Sequence, residues 1–147
     1  MKKNLILLLI MCCFVSTSYA QYHSVVQSAT KSSVTMRVTG YGKNAKVASV
    51  DAENNAIKTL LYAGAQETSY RLPLISENKE TVETKNKDFF DNLYKNEYKN
   101  FIESSIVVTA FGKDAQKRKS ITMDICVRAE QLRAYLENNG IIRKFGL

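Results

Sequence analysis

The sequence predicts an α+β domain, with a small, mostly antiparallel sheet and helices packed on one of its faces. Three observations carry this prediction: two segments in which apolar and polar residues alternate, and an alanine-rich stripe at helical spacing between them. The predicted element order is β-α-(β)-α-β-β-α, where the strand in brackets is short and interrupted by a proline. Strands that are neighbours in sequence tend to pair as hairpins, which favours an antiparallel sheet.

The first strand and the first helix meet at a pair of glycines. Residues 33–39 alternate between apolar and polar side chains, which predicts a half-buried strand that ends at Gly40 and Gly42. From 43 to 63 the alanines recur on one helical stripe, and Gly64 follows as a C-terminal stop. Because alanine is small, this ridge predicts that the helix backbone lies close to the sheet.

The middle of the chain is less regular. Residues 70–75 predict a short extended segment, and Pro73 confines it to a sheet edge because proline has no amide proton to donate. Residues 76–87 are polar and predict a loop. Asp88 can then cap a second helix, predicted at 88–102, whose apolar positions are largely aromatic.

A hairpin and a closing helix complete the predicted fold. Residues 105–111 form an apolar strand, 112–119 a charged connection, 120–127 a returning strand, and a last helix covers 129–137. Cys126 lies in the apolar run of the returning strand, where it is expected to pack as a small buried hydrophobe. A reactive thiol is the alternative.

Residues 1–20 predict a cleaved secretory signal. Two lysines precede an apolar run at 5–15, and a small residue, Ala20, stands directly before Gln21. The run has eleven residues, whereas a helix that spans a bilayer needs about 20. We therefore expect cleavage between Ala20 and Gln21, and a mature chain in the periplasm, free or associated with the outer membrane.

Loss of the signal changes the charge and the cysteine count. The mature chain would have 127 residues, with a flexible lead-in at 21–32 and a single domain at 33–147. Two of the 21 basic residues leave with the signal, so 19 face 14 acidic ones and the net charge is +5. Cys126 is then the sole cysteine and can form no disulfide within the chain. Acylation of Cys12 or Cys13 is disfavoured by the bulky residues before them.

Residue types that usually carry chemistry are sparse. Residues 40–45 match the G-x-G-x-x-A pattern of dinucleotide-binding loops, but the following segments do not predict a parallel βαβ unit. His23 is the single histidine and lies in the lead-in, and the carboxylates show no metal-ligand spacing. We therefore expect a protein that is not an enzyme and that binds no metal or cofactor.

The second helix carries the candidate interaction face. Tyr94, Lys95, Tyr98 and Lys99 alternate aromatic and basic character over two turns. In the functional interpretation, this face contacts a partner protein, a glycan or an anionic lipid. In the alternative interpretation, the rings point into the core while the lysines stay in water, and that arrangement is the commoner one.

Five segments between residues 32 and 137 form one pattern: VTGYG, AKVASVDAENNAIKTLLYAGA, FFDNLYKNEYKNFI, SSIVV and ITMDICVRAEQLRAYL. This pattern resembles the N-terminal domain of flagellar assembly protein T and related short exported, outer-membrane lipoprotein-like domains. Similar single-domain proteins of unassigned function occur in bacteria of the Bacteroides type. The resemblance implies a protein without catalytic residues that assembles with copies of itself or with a larger envelope machine. The chain departs from the family in having no cysteine in a typical lipidation context.

Together these observations predict an assembly or scaffold subunit of the cell envelope. A binding module for glycan or anionic lipid is the alternative function. Copies would join side by side through an edge strand, predicted at 34–38 or 70–72. We expect self-association or an envelope protein as partner, no nucleic acid, and no transmembrane span in the mature chain.

Overall fold

The computed structural model describes residues 24–144, which form a four-stranded antiparallel sheet with strand order β1-β2-β4-β3 and helices on one face. The strands are β1 (Ser24–Ala29), β2 (Val34–Tyr41), β3 (Ile102–Lys113) and β4 (Lys119–Val127). The helices are α1 (Ala45–Tyr62), α2 (Lys79–Lys85), α3 (Lys87–Lys95) and α4 (Ala129–Asn138), with a 3-10 helix at Glu97–Phe101. The predicted α+β class is confirmed. The signal at 1–20, its junction at Ala20 and Gln21, and His23 lie outside the described residues.

The core lies between the sheet and α1. Alternate residues of β2 and β4 are buried under the helix: Val34, Met36, Val38, Ile121, Met123, Ile125 and Val127. A Cβ atom placed on Gly40 of β2 would overlap the backbone of Ala48 and Ala52 and lie 2.8 Å from the Ala52 Cβ. Strand and helix backbones are thus in direct contact, because glycine faces alanine. The close approach predicted from the alanine ridge is confirmed.

The opposite face of the sheet carries partly exposed polar side chains. Its centre is an ion pair, in which Arg37 on β2 donates two hydrogen bonds of 2.8 Å to the carboxylate of Asp124 on β4. The hydroxyl groups of Thr39 and Thr122 lie 3.0 Å apart beside this pair. Such a polar face is typical of an antiparallel sheet that buries one side only.

Cys126 lies on this polar face, so the expectation that it is buried is wrong. Its side chain is half-buried, and the thiol donates to a Glu103 carboxylate oxygen at 3.5 Å. The reason is the alternation of a strand: Ile125 and Val127 point into the core, so the residue between them must point away.

β1 corrects part of the predicted flexible lead-in at 21–32, since 24–29 form a strand. Ser24–Ala29 pairs antiparallel with β2 and places Val26 opposite Met36. The register shifts between Val26 and Ser28, so the strand lacks the unbroken alternation that would reveal it in the sequence.

The predicted edge strands are also corrected. β2 pairs with β1 on one side and β4 on the other, so 34–38 lies inside the sheet. The segment 70–75 forms no strand and instead follows α1, where the Leu74 amide donates to the Leu60 carbonyl at 3.0 Å. The edges of the sheet are β1 and β3.

α2 replaces part of the loop predicted at 76–87. The Asn78 side chain accepts hydrogen bonds from the amides of Glu80 and Thr81, at 2.9 and 3.3 Å, and thereby caps the helix. Val82 is the single buried residue of the seven and fixes the helix to the domain. One apolar residue produces no helical period, so the sequence appears uniformly polar here.

Candidate interaction surface

β3 forms one edge of the sheet and has 12 residues. Three consecutive apolar side chains along it stay in water: Ile106 is 63% exposed, Val107 52% and Val108 43%. We call these three residues the apolar triplet. An edge strand with exposed apolar side chains is a template to which a further strand can pair, since one row of its backbone groups has no partner strand.

The apolar triplet is exposed for two reasons. Ile106 stands opposite Asp124 and so lies on the polar face, away from the helices. Val107 stands opposite Met123 on the helical side, where the helical layer is centred on the two inner strands. α1 packs over β2 and β4, and its link to β3 includes the hydrogen bond from the Ser105 hydroxyl to the Glu53 carboxylate, 2.8 Å long. Phe111, further along β3, is partly buried against the core. The middle of β3 therefore has the sequence of a core strand and the surroundings of a surface strand.

Bulges limit how far another strand could follow β3. Its register against β4 shifts between Ile102 and Ser104, between Val107 and Thr109, and between Thr109 and Gly112. Regular pairing extends over 104–107. Because bulges bend a strand and interrupt pairing, this edge favours a short contact over continuous stacking of strands.

The strand register aligns one row of side chains across the polar face. Val25 stands opposite Arg37, Arg37 opposite Asp124, and Asp124 opposite Ile106. Val25 on β1 is 63% exposed, as is Ile106 on β3. Hydrogen bonding from Arg37 holds the pKa of Asp124 below its ordinary value, despite opposing desolvation. Each end of the row is thus an exposed apolar residue at a sheet edge.

The four residues of the predicted interaction face divide between the interior and the surface. Tyr98 is 3% exposed and packs in the core, and Tyr94 is half-buried. Lys95 and Lys99 are exposed. The predicted helix 88–102 is divided, since α3 ends at Lys95 and a 3-10 helix follows. The structure thus leaves the two lysines, but not the two rings, on the surface.

Tyr94 belongs to a hydrogen-bonded cluster that joins three helices. The Tyr62 and Tyr94 hydroxyls donate to the same Glu83 oxygen, at 3.0 and 2.7 Å. The Lys58 ammonium lies 4.8 Å from the centre of the Tyr94 ring, and burial lowers the pKa of Lys58. Burial, and then the bond to Glu83, raises the pKa of Tyr94. The cluster ties α2 to α1 and α3.

Charged side chains also line an open cleft of about 640 Å³, which lies between residues 74–77 and the turn after α4. Glu77, Arg133 and Arg143 are its charged groups, and the Arg133 Nε lies 3.9 Å from the Glu137 carboxylate. Across residues 24–144, no three His, Cys, Asp or Glu side chains are grouped as metal ligands. Within that range, no helix is long and apolar enough to cross a membrane.

Comparison with known proteins gives no match at any of three levels: family models, curated proteins and solved structures. The resemblance to the domain of flagellar assembly protein T therefore stays a prediction.

The sequence identified 105–111 as a strand but not as a surface. The available signal was the apolar triplet itself, because three consecutive apolar residues break the alternation of a half-buried strand. The same signal is typical of a strand buried on both faces, so the sequence cannot distinguish the two surroundings. Position in the sheet decides, and β3 lies at the edge.

Proposed function

We propose that this protein is a non-enzymatic assembly or scaffold subunit of the cell envelope, exported to the periplasm, and that it associates through β3. The observation that carries the proposal is the apolar triplet on an edge strand. Apolar surface in water favours association roughly in proportion to the area that contact removes from water. Unpaired amide and carbonyl groups along the same edge can form hydrogen bonds with a second strand, which aligns that strand with β3.

A second copy of the chain fits this edge. Residues 104–112 of β3 contain no charge, so two such strands can approach without mutual repulsion. Glu103 precedes this run and Lys113 follows it. Antiparallel pairing brings the acidic end of one strand to the basic end of the other, whereas parallel pairing brings like charges together. A twofold, antiparallel contact between two β3 strands is therefore favoured.

Such a contact closes on itself. Each copy contributes its β3 edge and has no second β3 to offer, so twofold pairing produces a dimer. The bulges beside 104–107 restrict the paired stretch and discourage further strands from joining. The dimer would then present two β1 edges and two polar faces to the rest of an envelope assembly.

The test compares two double variants with equal charge changes. Ile106→Lys with Val108→Lys places charge on the β3 edge, where lysine discourages pairing. Val25→Lys with Val47→Lys is the matched control, since these valines are 63% and 41% exposed and lie away from β3. Size-exclusion chromatography with light scattering should show a dimer for the wild type and the control, and a monomer for the β3 variant.

Two results would contradict the proposal. One is a wild-type protein that stays monomeric across the accessible concentration range. The other is a β3 variant that remains dimeric while its circular dichroism matches the wild type. Cross-linking in the native host then tests the envelope part of the proposal, which predicts that the dimer is captured with envelope proteins.

A further inference from the structure

One end of the sheet gathers five exposed lysines from two distant parts of the sequence. These lysines, which we call the lysine cluster, are Lys43, Lys46, Lys113, Lys117 and Lys119. Two contacts bring the parts together: β2 pairs with β4 so that Tyr41 stands opposite Ser120, and the Gly42 amide donates to the Lys119 carbonyl at 3.2 Å. The sequence alone gives two separate basic stretches.

The acidic groups nearest this end are already engaged. Asp114 accepts hydrogen bonds from the Gln116 amide at 2.9 Å, and from the amide and the guanidinium of Arg118 at 2.8 and 2.9 Å. Asp51 accepts from the Tyr41 amide at 2.9 Å and from the Asn55 side chain at 3.1 Å. Within residues 24–144, no salt bridge of 4 Å or less involves a lysine of the cluster.

Two features of the lysine cluster are electrostatically unfavourable for the folded state. Lys113 and Lys119 stand directly opposite each other in the β3–β4 pair, and like charges so placed destabilise a sheet. Lys43 and Lys46 flank the start of α1, which has no acidic residue in its first turn, although the positive end of a helix favours acids. Departures from local rules that converge on one place are expected at functional sites.

We propose that the lysine cluster is a docking surface for an anionic phospholipid bilayer. Ammonium groups bind phosphate as compact point charges, and several together hold a protein at a negatively charged membrane surface. Val47 is 41% exposed in the first turn of α1, where it can contact the headgroup boundary. The proposal does not depend on dimer formation through β3.

Lipid fits this surface better than nucleic acid does. Binding of single strands usually needs free aromatic faces on which bases stack. Tyr41 lies among the lysines, but the Arg118 guanidinium covers its ring at 4.3 Å and donates to its hydroxyl at 2.8 Å. Arg118 is therefore held in place, and the five lysines supply the accessible charge.

The experiment measures how protein expressed from residues 1–147 partitions onto phospholipid vesicles. Vesicles of phosphatidylcholine alone are compared with vesicles that also contain phosphatidylglycerol. The test variant is Lys113→Gln, Lys117→Gln, Lys119→Gln. The matched control, Lys85→Gln, Lys95→Gln, Lys99→Gln, removes the same charge from exposed lysines of the helical side, two of them from the predicted interaction face.

Binding should require phosphatidylglycerol and weaken as salt rises. Each lysine near an anionic surface contributes about a fivefold factor in partition, so the test variant should bind about 100-fold more weakly and the control within about threefold of wild type. The monomeric Ile106→Lys, Val108→Lys variant should still bind, which separates this proposal from the assembly proposal.

Three results would overturn the proposal. Wild-type protein that ignores phosphatidylglycerol excludes the bilayer as the ligand. Equal losses in the test and control variants assign binding to net charge alone. Tighter binding to single-stranded DNA than to the vesicles, at the same salt, assigns the cluster to nucleic acid. Circular dichroism shows whether each variant is folded. The test variant should melt at or above the wild-type temperature because one like-charge pair is removed.

Discussion

Gly40→Ala should strongly destabilise the fold, because β2 and α1 touch at this glycine. The added Cβ would overlap the backbone of Ala48 and Ala52 and lie 2.8 Å from the Ala52 Cβ. Flexible side chains can rotate away from a clash, but backbone atoms cannot. The helix therefore has to separate from the strand.

The size of the effect follows from this geometry. Carbon atoms pack at about 3.5–4 Å, so α1 must retreat by about 1 Å, and such a gap forfeits up to about half of each local dispersion contact. Overpacking a core typically costs about 1–3 kcal/mol. We expect the upper end, about 3 kcal/mol in the free energy of unfolding, since Ala48, Ala52 and Ala56 are all fully buried along the contact.

Thermal and urea unfolding, followed by circular dichroism, measures the effect. For a domain of this size 1 kcal/mol moves the Tm by about 3–6 °C, so a loss of about 3 kcal/mol in Gly40→Ala should lower it by about 9–18 °C. Gly112→Ala is the control, because the nearest atom to its added Cβ is 3.8 Å away. The control should stay within about 0.5 kcal/mol of wild type. If Gly40→Ala has the same Tm as the Gly112→Ala control, the direct contact between helix and strand is refuted.

Three further predictions concern other parts of the molecule. Asp124→Asn should destabilise the protein at neutral pH but not in acid. Hydrogen bonding from Arg37 lowers the pKa of Asp124 in the folded state. The ionised carboxylate therefore stabilises the fold above the ordinary pKa of about 4, and this stabilisation is lost as the pH falls through the lowered pKa. Urea titrations at several pH values check this, and a pH-independent difference between the two proteins would contradict it. Tyr98→Ala should lower the free energy of unfolding by about 3 kcal/mol or more because the ring is buried, whereas Lys99→Gln should leave it nearly unchanged. Equal melting temperatures for the two variants would place Tyr98 outside the core. N-terminal sequencing of the exported protein should begin at Gln21, and a start at Met1 would remove the predicted signal.

Elements with a strong period were predictable from the sequence. The alanine stripe gave α1 and its close approach to the sheet, and alternation gave β2 and β4 with their core faces. In each case one face of the element is buried along its whole length, so burial imposes a repeat that the sequence records.

Elements that are held by few buried residues were not predictable. α2 depends on Val82 and a cap from Asn78, and β1 is interrupted by its register shift. Neither leaves a repeat in the sequence. The interaction surfaces depend on long-range placement: the apolar triplet lies at a sheet edge because of the strand order, and the lysine cluster exists because β2 lies beside β4. The sequence predicts hairpin pairs of neighbouring strands, but the period of a single strand does not show how the two hairpins join or which strands become the edges.

The position of β4 beside β2 governs how the domain can fold. The two hairpins, β1–β2 and β3–β4, form from neighbouring segments, but the ion pair that joins them connects residues 87 positions apart. The long intervening chain must close before α1 has a complete surface to cover, and such non-local closure slows folding. A chain that ends before β4 would leave Met36 and Val38 without Ile125 and Met123, the residues that stand beside them in the sheet. Neither half of the molecule is therefore an autonomous folding unit.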